Sequence, residues 1–158
     1  MRVEYINPFV ESAYSVIQEV LGVEVDRGDL YLKSSSMPVL GVAAIVGLAG
    51  DVEGRVLFDM GRDTALNVAN DMLKSMEMDQ IDSLNDMGRA TITELANMIT
   101  GQAVTKLHNQ GFQFDLTPPA IFTGDNMEVS DPGVEALIVP MNIPQGKIEI
   151  NVAIRERS

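Results

Sequence analysis

The longest helical pattern in the chain starts at Ser83 and ends near Gly111, and any fold must find a core for one side of it. At about 100° per residue, Leu84, Met87, Thr91, Leu95, Met98, Ile99 and Gln102 fall within one arc. That arc is mostly apolar, so it is expected to face the core. Glu94 and Asn97 lie outside it, with Asn97 nearly opposite its centre. Three residues apart, they are neighbours on the helix surface, with Cβ atoms roughly 5–6 Å apart. Ala90, one turn before Glu94, and Gly101, one turn after Asn97, share the outward face. These small residues leave a bare strip along which another protein can approach closely.

The remaining patterns describe an α/β chain. Asn7-Pro8 offers a cap and a first-turn proline for a helix carrying Phe9, Val10, Ala13, Tyr14, Ile17, Val20 and Leu21, stopped at Gly22. Val23 to Val25 and Leu30 to Leu32 read as short strands around the turn residues Asp26-Arg27-Gly28-Asp29. The apolar run Val39 to Leu48, a turn at Ala49-Gly50-Asp51, and the alternation of Val56, Phe58 and Met60 predict a β-hairpin. Glycines at 41, 47 and 54 weaken that reading. A second helix is expected from about Asp63 to Met76. Phe112, Phe114 and Leu116 alternate like a strand, ended by Pro118-Pro119. Val134 to Met141 and Gly146 to Arg155 predict a closing hairpin, with Ile148, Ile150, Val152 and Ile154 on one face.

No linker or low-complexity tract divides residues 1–158, so a single domain is expected. Each half does place a helix before a hairpin, over residues 8–60 and 83–155. Aligning the two helices sets Glu11-Ser12-Ala13-Tyr14 over Glu94-Leu95-Ala96-Asn97, a match too short to prove duplication.

Composition removes several functions. Asp plus Glu number 23 against 11 Lys plus Arg, a net charge of −12, with no basic cluster for a nucleic-acid backbone or an anionic membrane. The acidic excess either only keeps the chain in solution or favours a partner with a basic rim. There is no cysteine, no apolar run of membrane-spanning length and no secretion signal, so the cytoplasm is the default. The single histidine, His108, sits near the C-terminal end of the long helix, where a structural role is expected. Neither a nucleophile triad, a zinc site nor a phosphate-cradling glycine loop is present. Asp79, Asp82 and Asp86 could hold a hard cation but read better as a solvated helix start.

Thr93-Glu94-Leu95-Ala96-Asn97-Met98-Ile99-Thr100-Gly101 resembles the E-x-x-N signature helix of the CheC/CheX/FliY family, phosphatases of CheY-type response regulators in chemotaxis. Val20-Leu21-Gly22-Val23-Glu24, Gly47-Leu48-Ala49-Gly50 and Leu116-Thr117-Pro118-Pro119 extend the resemblance, in the same order, over most of the chain. Members similar to CheC carry the pair in both helices. Here Tyr14 stands where the first Asn would be, which favours the single-site CheX type.

The resemblance implies helices layered on a mostly antiparallel sheet, a homodimer, and a phosphorylated CheY-like regulator as partner. It also implies that the regulator supplies the aspartyl phosphate, the Mg²⁺ and an active-site lysine, so that no cofactor belongs to this chain. Asn97 would then order the attacking water through its amide oxygen, without adding charge beside the phosphoryl group. Glu94 would dock against the regulator's lysine, because an exposed helical Glu has no evident reason to act as a base. Two other readings remain open at this stage. One is a binding module that sequesters a regulator or joins a signalling or motor-switch assembly; the other is a dimerisation domain without a site.

Overall fold

Two long hairpins lie at the centre of one antiparallel sheet in the computed structural model, which describes residues 3–33, 37–129 and 135–157. In chain order the elements are α1 (Val3–Leu21), β1 (Asp26–Arg27), β2 (Tyr31–Lys33), β3 (Met37–Pro38), β4 (Val42–Gly50) and β5 (Val52–Met60). There follow α2 (Arg62–Ser75), α3 (Asp86–Asn109), β6 (Phe114–Leu116), β7 (Ala120–Thr123), β8 (Glu128–Val129), β9 (Ala136–Ile143) and β10 (Gly146–Glu156). The sheet order is β1-β9-β10-β5-β4-β6, with β2 also on β9 and β7 also on β4.

This order gives the sequence echo a structural form. Each hairpin pairs with the other through β5 and β10, in register from Ile148↔Met60 to Glu156↔Val52. The short strands that follow α1 add to the second hairpin, and those that follow α3 add to the first. Strands β3 and β8, one from each half, pair with each other. The halves are thus interleaved about a pseudo-twofold axis, with α2 inserted between them.

Alternation in the central strands sends one set of side chains to the helices. Val56, Phe58 and Met60 of β5 and Ile148, Ile150 and Val152 of β10 form one buried cluster with Phe9 and Ile17, Val68 and Met72, and Ile92, Ile99 and Leu107. Each such fully buried side chain contributes about 1.5–3 kcal/mol relative to exposure.

Several boundaries differ from the sequence expectation. Helix α1 begins at Val3, leaving Pro8 inside it rather than at its first turn. Tyr5 explains the extension: its ring packs edge-on against Phe112 at 5.0 Å and Phe114 at 5.4 Å, which holds the turn ahead of the proline. The strand expected at Val23 to Val25 does not form. Val25 is buried in the core, whereas Asp26 and Arg27, read as turn, pair with Asn142 and Met141. Strands β3, β7 and β8 were not anticipated, and Val134 lies outside the described residues.

The face away from the helices is buried as well, and it carries charge. The β5–β10 register sets Asp59 beside Glu149, and Asp59 is only 2% exposed. Asp59 accepts the Leu40 N–H at 2.9 Å, and Glu149 accepts the Tyr31 hydroxyl at 2.8 Å and pairs with Lys147 Nζ at 3.3 Å. Burial above all, with the charge of Glu149 adding to it, pushes the Asp59 carboxyl from 3.8 up to about 6, although the Leu40 N–H and Lys147 act the other way. The folded chain therefore keeps a proton that the unfolded chain releases, so stability falls as pH rises from about 4 to about 6. Asp59→Asn keeps an acceptor for Leu40 without the charge. It should be more stable than the parent by about 1–2 kcal/mol at pH 7.5 and no more stable near pH 4. Urea midpoints at the two pH values check this; an equal loss at both would show that the charge is not what matters.

Candidate functional site

Helix α3 is the central helix, packed between α1 and α2 and over β4 and β6. Asn85 caps it, its side chain accepting the Gly88 N–H at 3.0 Å, so the helix starts at Asp86, three residues beyond the Ser83 of the sequence pattern. At the other end His108 Nε2 lies 3.0 Å from the Phe114 carbonyl oxygen, tying the helix to β6 in the structural role expected for it. Thr91, Thr93, Thr100 and Thr105 each return their hydroxyl to a carbonyl of the preceding turn. These β-branched polar residues thus stay inside the helix with their donors satisfied.

Burial on α3 falls on Thr91, Ile92, Leu95, Ala96, Ile99, Thr100, Ala103, Val104 and Leu107. The inward arc is therefore rotated from the expected one. Thr91, Leu95 and Ile99 face inward as anticipated, Gln102 is half-buried, and Met87 and Met98 are exposed. Small Ala96, Thr100 and Ala103 take the inward positions because α3 is covered on several sides, where close packing selects size over hydrophobicity.

The four residues singled out on the outward face are all exposed: Ala90, Glu94, Asn97 and Gly101. Among the described residues neither Glu94 nor Asn97 has a side-chain partner. Nothing lies within 4 Å of the place a Gly101 Cβ would occupy. The result is a convex helical face with a carboxylate, a carboxamide and open backbone on either side. It cannot enclose a phosphoryl group by itself, so its chemistry has to be completed by a molecule that closes over it. Among the described residues no three His, Cys, Asp or Glu gather to hold a metal ion. Asp79, Asp82 and Asp86 are exposed, and Asp86 pairs with Arg89 at 2.7 Å.

The equivalent place in the first half is built differently. Glu11 is paired with Lys106 Nζ at 3.6 Å, and Tyr14 lines a shallow cleft with Glu11, Val25 and Arg27. Tyr14, not a carboxamide, stands three residues after Glu11, so the position that aligns with Asn97 lacks the amide.

Fold and outward Glu/Asn helix together define a CheC-like chain. The structure resembles a CheC-like superfamily protein from Shewanella sp. PV-4 with a TM-score of 0.86 and 25% identity, over 98% of this chain and 99% of that one. The sequence profile of the family described as "Chemotaxis phosphatase CheX" matches residues 42–142. The CheY-P phosphatase CheX of Thermotoga maritima is 30% identical over 143 residues, 90% of each chain. The chain belongs to the CheX family of chemotaxis phosphatases. A chain of the CheX-CheY-BeF3-Mg+2 complex from Borrelia burgdorferi is similar at 47% identity and a TM-score of 0.83, over 98% of this chain and 100% of that one.

Gly101 has a cost that the fold alone does not explain. In a helix interior glycine is less stable than alanine by roughly 0.5–1 kcal/mol, and no neighbour here requires its small size. Gly101→Ala should therefore raise stability by about that amount in urea melts. If this outward face is where a partner docks, the variant should also slow dephosphorylation by narrowing the strip, and an unimpaired phosphatase would exclude Gly101 from such a role.

Proposed function

We propose that Glu94 and Asn97 carry the phosphatase activity of this chain, the hydrolysis of the aspartyl phosphate of a CheY-like response regulator. The carrying observation is that both side chains are exposed, adjacent on α3 and without partners among the described residues. Asn97 Oδ1 accepts a hydrogen bond from one water and holds it in line with the phosphorus. The water oxygen bonds to phosphorus as the bond to the aspartyl oxygen breaks, and the regulator's carboxylate and inorganic phosphate leave. The carboxylate is a good leaving group, so alignment of the water is the main deficiency of the unassisted reaction. Glu94 pairs with the regulator's active-site lysine and fixes the docking register. Ala90 and Gly101 let the α3 backbone come close. Mg²⁺ belongs to the regulator, and this chain brings no cofactor of its own.

The same reading puts the chain in the cytoplasm with its substrate; among the described residues no helix is long and apolar enough to cross a membrane. It also includes a homodimer, which light scattering would detect as twice the chain mass. The central experiment adds the chain to an autophosphorylated regulator and times phosphate loss. Catalytic amounts should accelerate it. Unchanged decay at stoichiometric amounts would leave only sequestration.

A further inference from the structure

We propose that Met87 and Met98 form an apolar edge of the docking face and set how tightly the chain grips the receiver domain of its regulator. This rests on the phosphatase reading above. The two methionines are 46% and 37% exposed, on a helix whose Ile92, Leu95, Ile99 and Leu107 are buried to 3% or less. Eleven residues of helix make three turns with about 20° to spare, so Met87 and Met98 stand one above the other, about 16 Å apart along the axis. Glu94 falls between them along the axis, about 20° round from Met87 and about 40° from Met98, whereas Asn97 lies about 80° round from Met87. The outward face thus has an apolar edge and a carboxamide edge, with Glu94 and the bare Gly101 between.

That geometry identifies the occupant. A molecule that brings a phosphoaspartate against Asn97 while Glu94 reaches its lysine has to lie along α3 over the span from Ala90 to Gly101. It then covers one methionine directly and borders the other. The covering surface is the receiver domain itself, and the methionines require apolar side chains on the flank of its phosphorylation site. Such contacts keep bulk water from the polar centre, which leaves only the water that Asn97 orders. Methionine suits the task because its unbranched thioether adjusts to differently shaped neighbours.

The test separates grip from chemistry. Met87→Ser/Met98→Ser is titrated against a regulator loaded with beryllium fluoride and Mg²⁺, and assayed on the phosphorylated regulator. The double variant should bind about 10–50-fold more weakly and raise KM to match, with kcat within about twofold of the parent. Met87→Leu/Met98→Leu should recover binding to within about threefold of the parent, since apolar contact is restored. Both variants should melt with the parent, as neither side chain belongs to the core. Unchanged affinity in the double serine variant overturns the proposal, and so does a fall in kcat at constant KM. If the parent turns over normally in either case, the phosphatase reading stands alone. A parent that neither binds nor accelerates removes both.

Discussion

Asn97→Ala should return the regulator's aspartyl phosphate to its unassisted rate of decay, a loss of about two to three orders of magnitude in turnover, while the complex still forms. The size follows from what the side chain contributes. Asn97 is exposed and its side chain has no hydrogen-bonding partner among the described residues, so its removal leaves neither a buried cavity nor an orphaned buried partner. On the proposed reading its effect is confined to the reacting water, whose alignment matters in the transition state. Asn97→Asp is isosteric but sets a negative charge beside the phosphoryl group and should fail as well. Glu94→Ala behaves differently. On the proposed reading it removes a charge-assisted contact worth about 1.5–3 kcal/mol, which should weaken docking and be overcome in part by raising the concentration of regulator. Rapid-mixing fluorescence or radiolabelled phosphate release distinguishes the two patterns. An Asn97→Ala chain keeping more than half of the parental acceleration would reject its role, and a Glu94→Ala chain of unaltered affinity would reject docking.

The outward placement of Ala90, Glu94, Asn97 and Gly101 was legible because one turn of helix fixes their mutual directions whatever the core does. The direction of the core itself was less so. Periodicity gave weight to Met87 and Met98 as large apolar residues, while much of the buried surface is Gly88, Thr91, Ala96, Thr100 and Ala103. Such residues carry little apolar signal, and only the arrangement of α1, α2 and the sheet shows that they are inside. The exposed methionines had one cue in the sequence: Met98 stands four residues after Glu94 and Met87 seven before it, on the Glu94 side of the helix.

The sheet divided in the same way. The two hairpins announced themselves through alternation, because both their strands and their turn are local in sequence. Strands β1, β3 and β8 have two residues each, and β7 has four. Each is a strand only because a partner from the other half lies beside it. Local propensity has little to say about such pairs. Interleaving also explains the charged far face. Asp59 and Glu149 meet across β5 and β10, and their hydrogen bonds come from Leu40 and Tyr31.

Gly54→Ala should be among the most destabilising single-methyl changes available, at about 3 kcal/mol or more. Glycine within a strand argued against the hairpin when only the sequence was considered, yet Gly54 lies inside β5, paired with Leu48 and with Ile154. Its φ of +152° is a conformation that residues with a side chain rarely adopt. An added Cβ would also collide with the Ala153 carbonyl oxygen and stand 2.9 Å from the carbonyl carbon. Relief would require β5 and β10 to separate where the two halves join, with Val56 and Val152 of the core immediately adjacent. The contrast with Gly101→Ala is diagnostic. There the methyl enters open space on a helix and stability rises, whereas at Gly54 the same methyl opens the central seam of the sheet. Parallel urea melts of the two variants should shift in opposite directions. A Gly54→Ala chain as stable as the parent would mean that the β5–β10 seam does not hold the two halves together as described.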